Sequence, residues 1–340
     1  MKGFQLMNKL ALAVCLIFVL GSCEEDVNNS QENDSQNPAK ALTLAHAPNE
    51  WVTIEGQSSS NLRAPQAAGV DRGRFNITLK YVVPVTERQE EVFEAAAARW
   101  ERIIIKDVPS FTGTIPSAFE GVEPAVDGTL DDILIEVVLA PIDGPGQVLG
   151  QAGPRFVRTE DFLTLTGVMF FDVADLDFLE EIDLFEEVIV HEMGHVLGVG
   201  TLWNVAPFGF DRTLVEATET NPYFTGKKAN VHWNAEGGED ELPVEDMGGP
   251  GTRLGHWRES VLNNELMTGF LNLGENPLSR ITAASMKDLG YGAAVVGEQF
   301  DLPKGAQGVD IDELSEGNGE GLNIAEMEEL LLPIGSVSVK

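Results

Sequence analysis

Cysteine is almost missing from this chain of 340 residues: there are two, Cys15 and Cys23, both near the start. The body of the protein therefore cannot carry a disulfide framework, a cysteine-ligated zinc or a cysteine nucleophile. Cationic residues are scarce as well. Lys and Arg total 22 against 55 acids, a formal net charge of −33, which excludes nucleic acid as a partner because phosphate binding needs clustered Lys and Arg. So much negative charge reads as a solvated, self-repelling surface and says little about fold. Histidines number only five, so an imidazole-built metal site has few candidates. The apolar run Leu10 to Leu20 is too short for a spanning helix.

That run does have a role. Lys2 and Lys9 precede it and Leu20-Gly21-Ser22-Cys23 closes it, the pattern of a secretory signal over residues 1–22; Met7 would serve equally well as its start. The closing tetrad resembles the lipobox of bacterial lipoproteins, which implies that Cys23 is lipidated and becomes the first mature residue. Residues 23–71 are rich in Asn, Ser, Gln and acids and read as a flexible tether between lipid and domain. Glu24-Glu25-Asp26 resembles acidic sorting signals of surface-exposed lipoproteins. Residues 293–340 read as an acidic C-terminal tail in which only Ile324 to Leu332 has helical character. Asp310 and Asp312 do not continue into a calcium loop, since its glycine and closing glutamate are missing.

Between these ends, residues 72–292 form the domain, large enough for one sizeable core and free of internal repeats. Phe75 to Val83 alternates as a strand. Thr86-Glu87-Arg88-Gln89 is a capping box opening a helix with Phe93, Ala96, Ala97, Trp100 and Ile104 on one face. Ile133 to Leu139 and Gly167 to Asp172 read as buried strands, and Asp183-x-x-Glu186 as a second capping box, opening a helix over 184–198. This order of strands and helices predicts an α/β lobe.

The second helix carries His191-Glu192-Met193-Gly194-His195. Histidines four apart project from one helix face, so both imidazoles can reach one ion. Neutral imidazole suits Zn²⁺, and a catalytic zinc takes three protein ligands and leaves a fourth position open. Glu192 lies beside the first ligand, where its carboxylate can act on water without binding the metal. Gly198 is placed to end the helix. In the commonest extended motif a third histidine stands three residues beyond that glycine; here the position is Thr201.

With its glycine, the motif resembles the metzincin metallopeptidases, and Gly255-His256-Trp257 followed by Glu265-Leu266-Met267-Thr268-Gly269 resembles the leishmanolysin family in particular. The resemblance extends over Phe75 to Ile104, Ile133 to Gly200 and Ile281 to Tyr291. It implies an α/β (α+β) metzincin-like zincin: an upper lobe with a twisted mixed sheet and two long helices, and a smaller C-terminal lobe with a methionine turn (265–269) and a closing helix. It also implies one catalytic Zn²⁺ on His191, His195 and His256, the last delivered after an insert over 199–255; Met267 beneath the metal; and Glu192 as general base and acid in peptide-bond hydrolysis.

Three departures limit the carry-over. Relatives from eukaryotic parasites are rich in disulfides, so here the insert must hold by packing alone. They keep a propeptide cysteine against the zinc, and none is available here. Some metzincins place a tyrosine two residues after the methionine, where this chain has Gly269. Gly150 to Arg158, with Gly153, Pro154 and Arg155 at its centre, is the candidate substrate rim, with a plain connecting loop as the alternative. Two other classes stay open: a gluzincin using Glu216 or Glu219 as third ligand, and an idle surface adhesin on the same fold. His232, in Val231-His232-Trp233-Asn234, competes with His256. The expected partners are protein or peptide substrates and, through the lipid, a bacterial membrane, the outer membrane or cell surface; the chain is expected to act as a monomer.

Overall fold

The first helix begins where the capping box places it. Thr86 accepts from the Gln89 backbone while the Gln89 side chain accepts from Thr86, and α1 runs Glu87–Ile103. The computed structural model describes residues 42–45, 50–58, 73–249, 251–300 and 321–339. The expected signal 1–22, Cys23, His46, Asp310, Asp312 and much of the expected tether lie outside the described residues. Among the described residues no helix is long and apolar enough to cross a membrane.

The strands are β1 (Val52–Ser58), β2 (Ile77–Tyr81), β3 (Phe111–Ile115), β4 (Val126–Leu130), β5 (Ile133–Ala140), β6 (Gly150–Arg158), β7 (Thr164–Asp172), β8 (Val215–Glu216), β9 (Tyr223–Phe224), β10 (Leu242–Pro243), β11 (Leu271–Asn272), β12 (Gly321–Leu322), β13 (Glu328–Leu330) and β14 (Gly335–Val339). The remaining helices are α2 (Leu176–Glu181), α3 (Phe185–Leu197), α4 (Lys227–Ala235), α5 (Glu259–Leu262) and α6 (Arg280–Leu289). One mixed sheet takes the order β2-β5-β7-β6-β14-β1-β3-β4, with β13 added beside β6. The pairs β2–β5 and β5–β7 are parallel, whereas β6 runs antiparallel to β7.

Strand alternation assigns the two faces. Ile133, Ile135, Val137 and Leu139 of β5, with Met169 and Phe171 of β7, join the core shared with α1 and α3. The intervening Leu134, Val138, Val168 and Phe170 belong to clusters with Phe111, Ile115 and Phe119. Both faces are covered, so these strands read as continuous apolar runs. The indole of Trp100, fully buried, donates to the Val190 carbonyl at 2.9 Å and ties α1 to α3.

Several expectations need correction. The stretch read as a tether contains β1, which pairs in parallel with β14 and antiparallel with β3. The helix expected over Ile324 to Leu332 is instead a single 3-10 turn, Ile324–Glu326, followed by the extended β13; three consecutive leucines before Pro333 suit an edge strand as well as a helix. The second capping box does not form, because Asp183 takes positive φ and α3 starts from Leu184 with no side-chain cap. Gly150 to Arg158, for which a sheet rim and a connecting loop were the alternatives, is a full strand, but not an edge one: β7 pairs with it on one side and β13 and β14 on the other.

Candidate metal centre

Helix α3 is buried on all sides from Val188 to Leu197, so His191 and His195 project into protein rather than water. The helix stops at Gly198, whose φ of 113° is the left-handed cap that favours glycine. The turn carries the Val199 carbonyl back under His195, which donates from Nδ1 at 2.9 Å. At the next turn Gly200, also at positive φ, lies so close to the backbone of Gly255 that a Cβ would meet its carbonyl oxygen at 2.0 Å. That approach brings the returning chain, and His256, up to the end of α3.

The insert between them holds without covalent links. Trp203, Phe224 and Trp257 form a buried aromatic trio with centroids 4.5–5.2 Å apart. Glu245 accepts from the backbone of Asp246, Met247 and Glu259, while its own N–H bonds the His256 carbonyl at 2.9 Å. Arg258 donates to the Pro222 and Val244 carbonyls and to Asn221.

Past His256 the chain makes the Glu265–Gly269 turn. Glu265 is wholly buried and accepts from Met267 N, Ser279 N and the Thr282 hydroxyl, which locks the turn onto the start of α6. The turn supplies two contacts to the site. The Leu266 carbonyl receives Nδ1–H of His191 at 2.7 Å, and Met267 lies beneath α3, where a Cβ on Gly194 would meet its sulfur at 2.7 Å. That glycine is required by close approach of Met267 and Trp100 rather than by its backbone angles.

His256 completes the set, with Nδ1 at 3.2 Å from the Thr252 carbonyl. A carbonyl only accepts, so each Nδ1 must carry the proton and each neutral ring presents a bare Nε2 lone pair. The three Nε2 atoms converge: 2.9 Å between His191 and His195, 3.1 Å between His195 and His256, and 3.2 Å between His191 and His256. Burial, followed by the other two imidazoles, holds His195 well below the usual histidine range despite the opposing charge of Glu328, whereas at His256 burial is outweighed by the Glu328 charge and hydrogen bond, which raise the ring above that range. Three lone pairs facing one another in a fully buried pocket repel unless a cation lies among them. Four tetrahedral ligands at about 2.0–2.1 Å would stand about 3.3 Å apart, close to the observed spacing, so the residues fit a zinc ion.

A fourth group meets the same point. Glu328 of β13 is fully buried at its side chain, with Oε1 at 2.8 Å from Nε2 of His256 and Oε2 at 3.4 and 3.6 Å from those of His191 and His195. These four residues form one cluster able to hold a metal. Burial alone would raise the Glu328 carboxyl, but His256, His195 and His191 hold it well below the ordinary value. Glu192 stands beside it, also buried, and burial followed by the Glu328 charge pushes its carboxyl well above the ordinary value. Sequence reasoning missed Glu328 because it obeys no ligand spacing. The available signal was the alternation Gly335-Ser336-Val337-Ser338-Val339, which marks a strand where an acidic tail was expected.

Other candidates fall elsewhere. His232 is half-buried on α4, outside the cluster. Glu216 and Glu219 are exposed and outside it too. Thr201 donates from its hydroxyl to the His195 carbonyl at 2.6 Å. Gly153, Pro154 and Arg155 lie within β6, where Arg155 is buried and donates to the Ala45 carbonyl. A cavity of about 520 Å³ adjoins the centre, walled by Thr201, Trp203, Arg253 and Leu254 and, opposite, by Glu328 to Leu332.

Comparison with known proteins matches residues 106–299, more than half of the chain, to the family model described as leishmanolysin; the stretch Phe75 to Ile104 precedes the matched residues. A leishmanolysin-like peptidase of Drosophila melanogaster is 43% identical over 68 residues, which is 19% of this chain and 9% of that protein. A leishmanolysin-like peptidase of Drosophila pseudoobscura pseudoobscura is 49% identical over 49 residues, 14% of this chain and 7% of that protein. The matched stretches thus span less than a tenth of each relative's length.

Next to the centre, Glu259 gives a pH test of how this region is held. Burial, then the negative charge of Glu245, pushes its carboxyl up to about 8 against a hydrogen bond from Thr268. Between the ordinary value of 4.5 and about 8 the folded chain keeps a proton that the unfolded chain has released, so stability falls as pH rises through that window. Glu259→Gln removes the titration. Thermal midpoints of the two proteins should therefore lie close at about pH 5 and diverge in favour of the variant toward about pH 9. Parallel curves would show that Glu259 does not titrate in this range.

Proposed function

Because the chain belongs to the leishmanolysin family, we propose that it is a zinc-dependent metalloendopeptidase hydrolysing peptide bonds of extracytoplasmic proteins. The observation that carries this reading is the convergence of three Nε2 atoms, each ring aimed by its Nδ1 contact with a backbone carbonyl, with Glu192 beside them. His191, His195 and His256 would hold the ion and Met267 would form its floor. Zinc, when bound, supplies the positive charge that polarises a scissile carbonyl and brings the pKa of water toward about 7.

The chain's own residues do the rest. Glu192 follows His191 directly and so cannot share its direction; it takes the proton of the attacking water and returns it to the leaving amine. Gly153, Pro154 and Arg155 lie on β6, whose side away from β7 is taken by Glu328 to Val337, so an extended substrate would pair there only in place of that segment. Cys23, acylated, would fix the enzyme to a bacterial membrane, outer membrane or cell surface, in front of exported proteins.

Glu192→Gln should bind one zinc per chain, as the wild type does, while cleavage of an unfolded protein falls by about 10²–10⁴ or more; near-normal cleavage by a pure sample would remove the mechanism. His256→Ala should purify largely free of zinc and inactive, since losing a ligand costs far more than the roughly 10–100-fold of a residue behind one. His232→Ala should keep its metal and its activity, and zinc analysis giving the reverse pattern would overturn the ligand set. For the anchor, a fatty-acid probe should label the wild type and spare Cys23→Ser; equal labelling would sink the lipoprotein reading.

A further inference from the structure

We propose that the segment from Ala325 to Leu332 is an intramolecular inhibitor of the metal centre, with Glu328 as a fourth protein ligand that closes the position substrate and water need. The inference rests on the zinc reading above. It is carried by the way this segment is built into the cleft.

On one side it extends β6. Leu149 donates to the Met327 carbonyl at 2.7 Å, Glu328 to Leu330 pair with Gly150 to Ala152, and Leu331 donates to the Ala152 carbonyl at 2.8 Å. Strand addition of this kind is how an extended peptide binds a sheet edge. On the other side it is stapled to the walls that deliver the ligands. Ala325 donates to the Gly269 carbonyl at 3.1 Å, just past Met267, and accepts from the Thr252 hydroxyl at 2.9 Å, four residues before His256. Leu330 packs on Gly255, where a Cβ would meet it at 2.8 Å. The segment thus bridges the cleft from β6 to the methionine turn, with one carboxylate at its centre.

Chemistry makes that carboxylate more than a structural contact. A buried anion is costly unless paired, and Glu328 faces only the three imidazoles and the Glu192 carboxyl, with no backbone N–H directed at it. An ion among the four groups reconciles them, and a site with four protein ligands is closed, whereas hydrolysis requires an open position. The tether strengthens the effect. Strand β14, lying in the sheet between β6 and β1, holds the segment at high effective concentration, so a free peptide competes at a disadvantage. Opening the site requires β13 to leave β6, and β13 is only three residues long.

The test uses full-length, zinc-loaded protein as wild type, Glu328→Ala, Glu328→Gln and Glu326→Ala. The last loses the same charge from an exposed position two residues away. Acetohydroxamate, a small metal-binding probe, is titrated calorimetrically, and cobalt-substituted samples are compared by visible absorption. Glu328→Ala should bind the probe at least tenfold more tightly than wild type and alter the cobalt spectrum, Glu326→Ala should do neither, and casein cleavage should rise at least tenfold in Glu328→Ala. If Glu328→Ala fails to fold, the near-isosteric Glu328→Gln carries the same comparison. Identical probe affinity and cobalt spectra in all four proteins would overturn the inference whatever their activity. Loss of zinc from Glu328→Ala and Glu328→Gln would make Glu328 a structural ligand and also overturn it. Tighter probe binding with no cleavage by any variant would uphold the closure and overturn the peptidase reading instead.

Discussion

Three hydrogen bonds that never touch the metal position govern this structure: those from the Nδ1 atoms of His191, His195 and His256 to the carbonyls of Leu266, Val199 and Thr252. They fix the tautomers and aim every Nε2 at one point. Each acceptor comes from a different piece of chain, namely the methionine turn, the cap of α3 and the end of the insert. The site therefore exists only if all three pieces are docked at once. Trp100 and Gly194 seat α3, Gly198 turns it off, Gly200 receives Gly255, and Glu265 clamps the turn to α6.

The insert carries the heaviest part of this burden, since it must leave α3 and return to it without a disulfide. It succeeds by converting polar demands into local order. Glu245 satisfies three backbone N–H groups that would otherwise be orphaned in a turn, and the Arg258 guanidinium donates to the Pro222 and Val244 carbonyls, each one residue outside β9 and β10. The Trp203–Phe224–Trp257 cluster supplies apolar burial at the same place, and aromatic pairs of this kind contribute about 0.5–1.5 kcal/mol beyond their area.

How much of this could be read from the sequence follows from the range of each signal. The helix carrying His191 was legible because its periodicity and its terminating Gly198 act within a few residues, and its observed limits, Phe185–Leu197, lie within a residue of those expected. His256 was reachable only through resemblance, because nothing local says that an insert will close where it does. The Asp183 cap failed for a related reason: a Ser, Thr or Asp before a helix is a local preference, and the turn after α2 rotates Asp183 to positive φ instead. The sheet was legible where both faces are apolar, as in β5 and β7. It was illegible where strands come from the chain ends: β1, β13 and β14 are polar on one side and pair with partners far away in sequence, β13 and β14 with β6 and β1 with β14.

Buried acids elsewhere in the fold show what sets Glu328 apart. Asp172 accepts from the backbone of Ile142, Asp143, Gly144 and Ala174, and its carboxyl is held below the ordinary value because those bonds outweigh burial. Glu136 accepts from Ala118 N and Ser117, and Glu265 from two N–H groups and a hydroxyl. In each case the protein supplies donors, and the acid organises a loop or turn. Glu328 has no backbone N–H or hydroxyl directed at it, and faces only the three imidazoles and the Glu192 carboxyl. A carboxylate kept to order a loop or turn is placed among donors, as these three are. One placed against three converging Nε2 atoms makes electrostatic sense around a cation, so the acid at the centre of the cleft and the ion that the histidines fit explain each other.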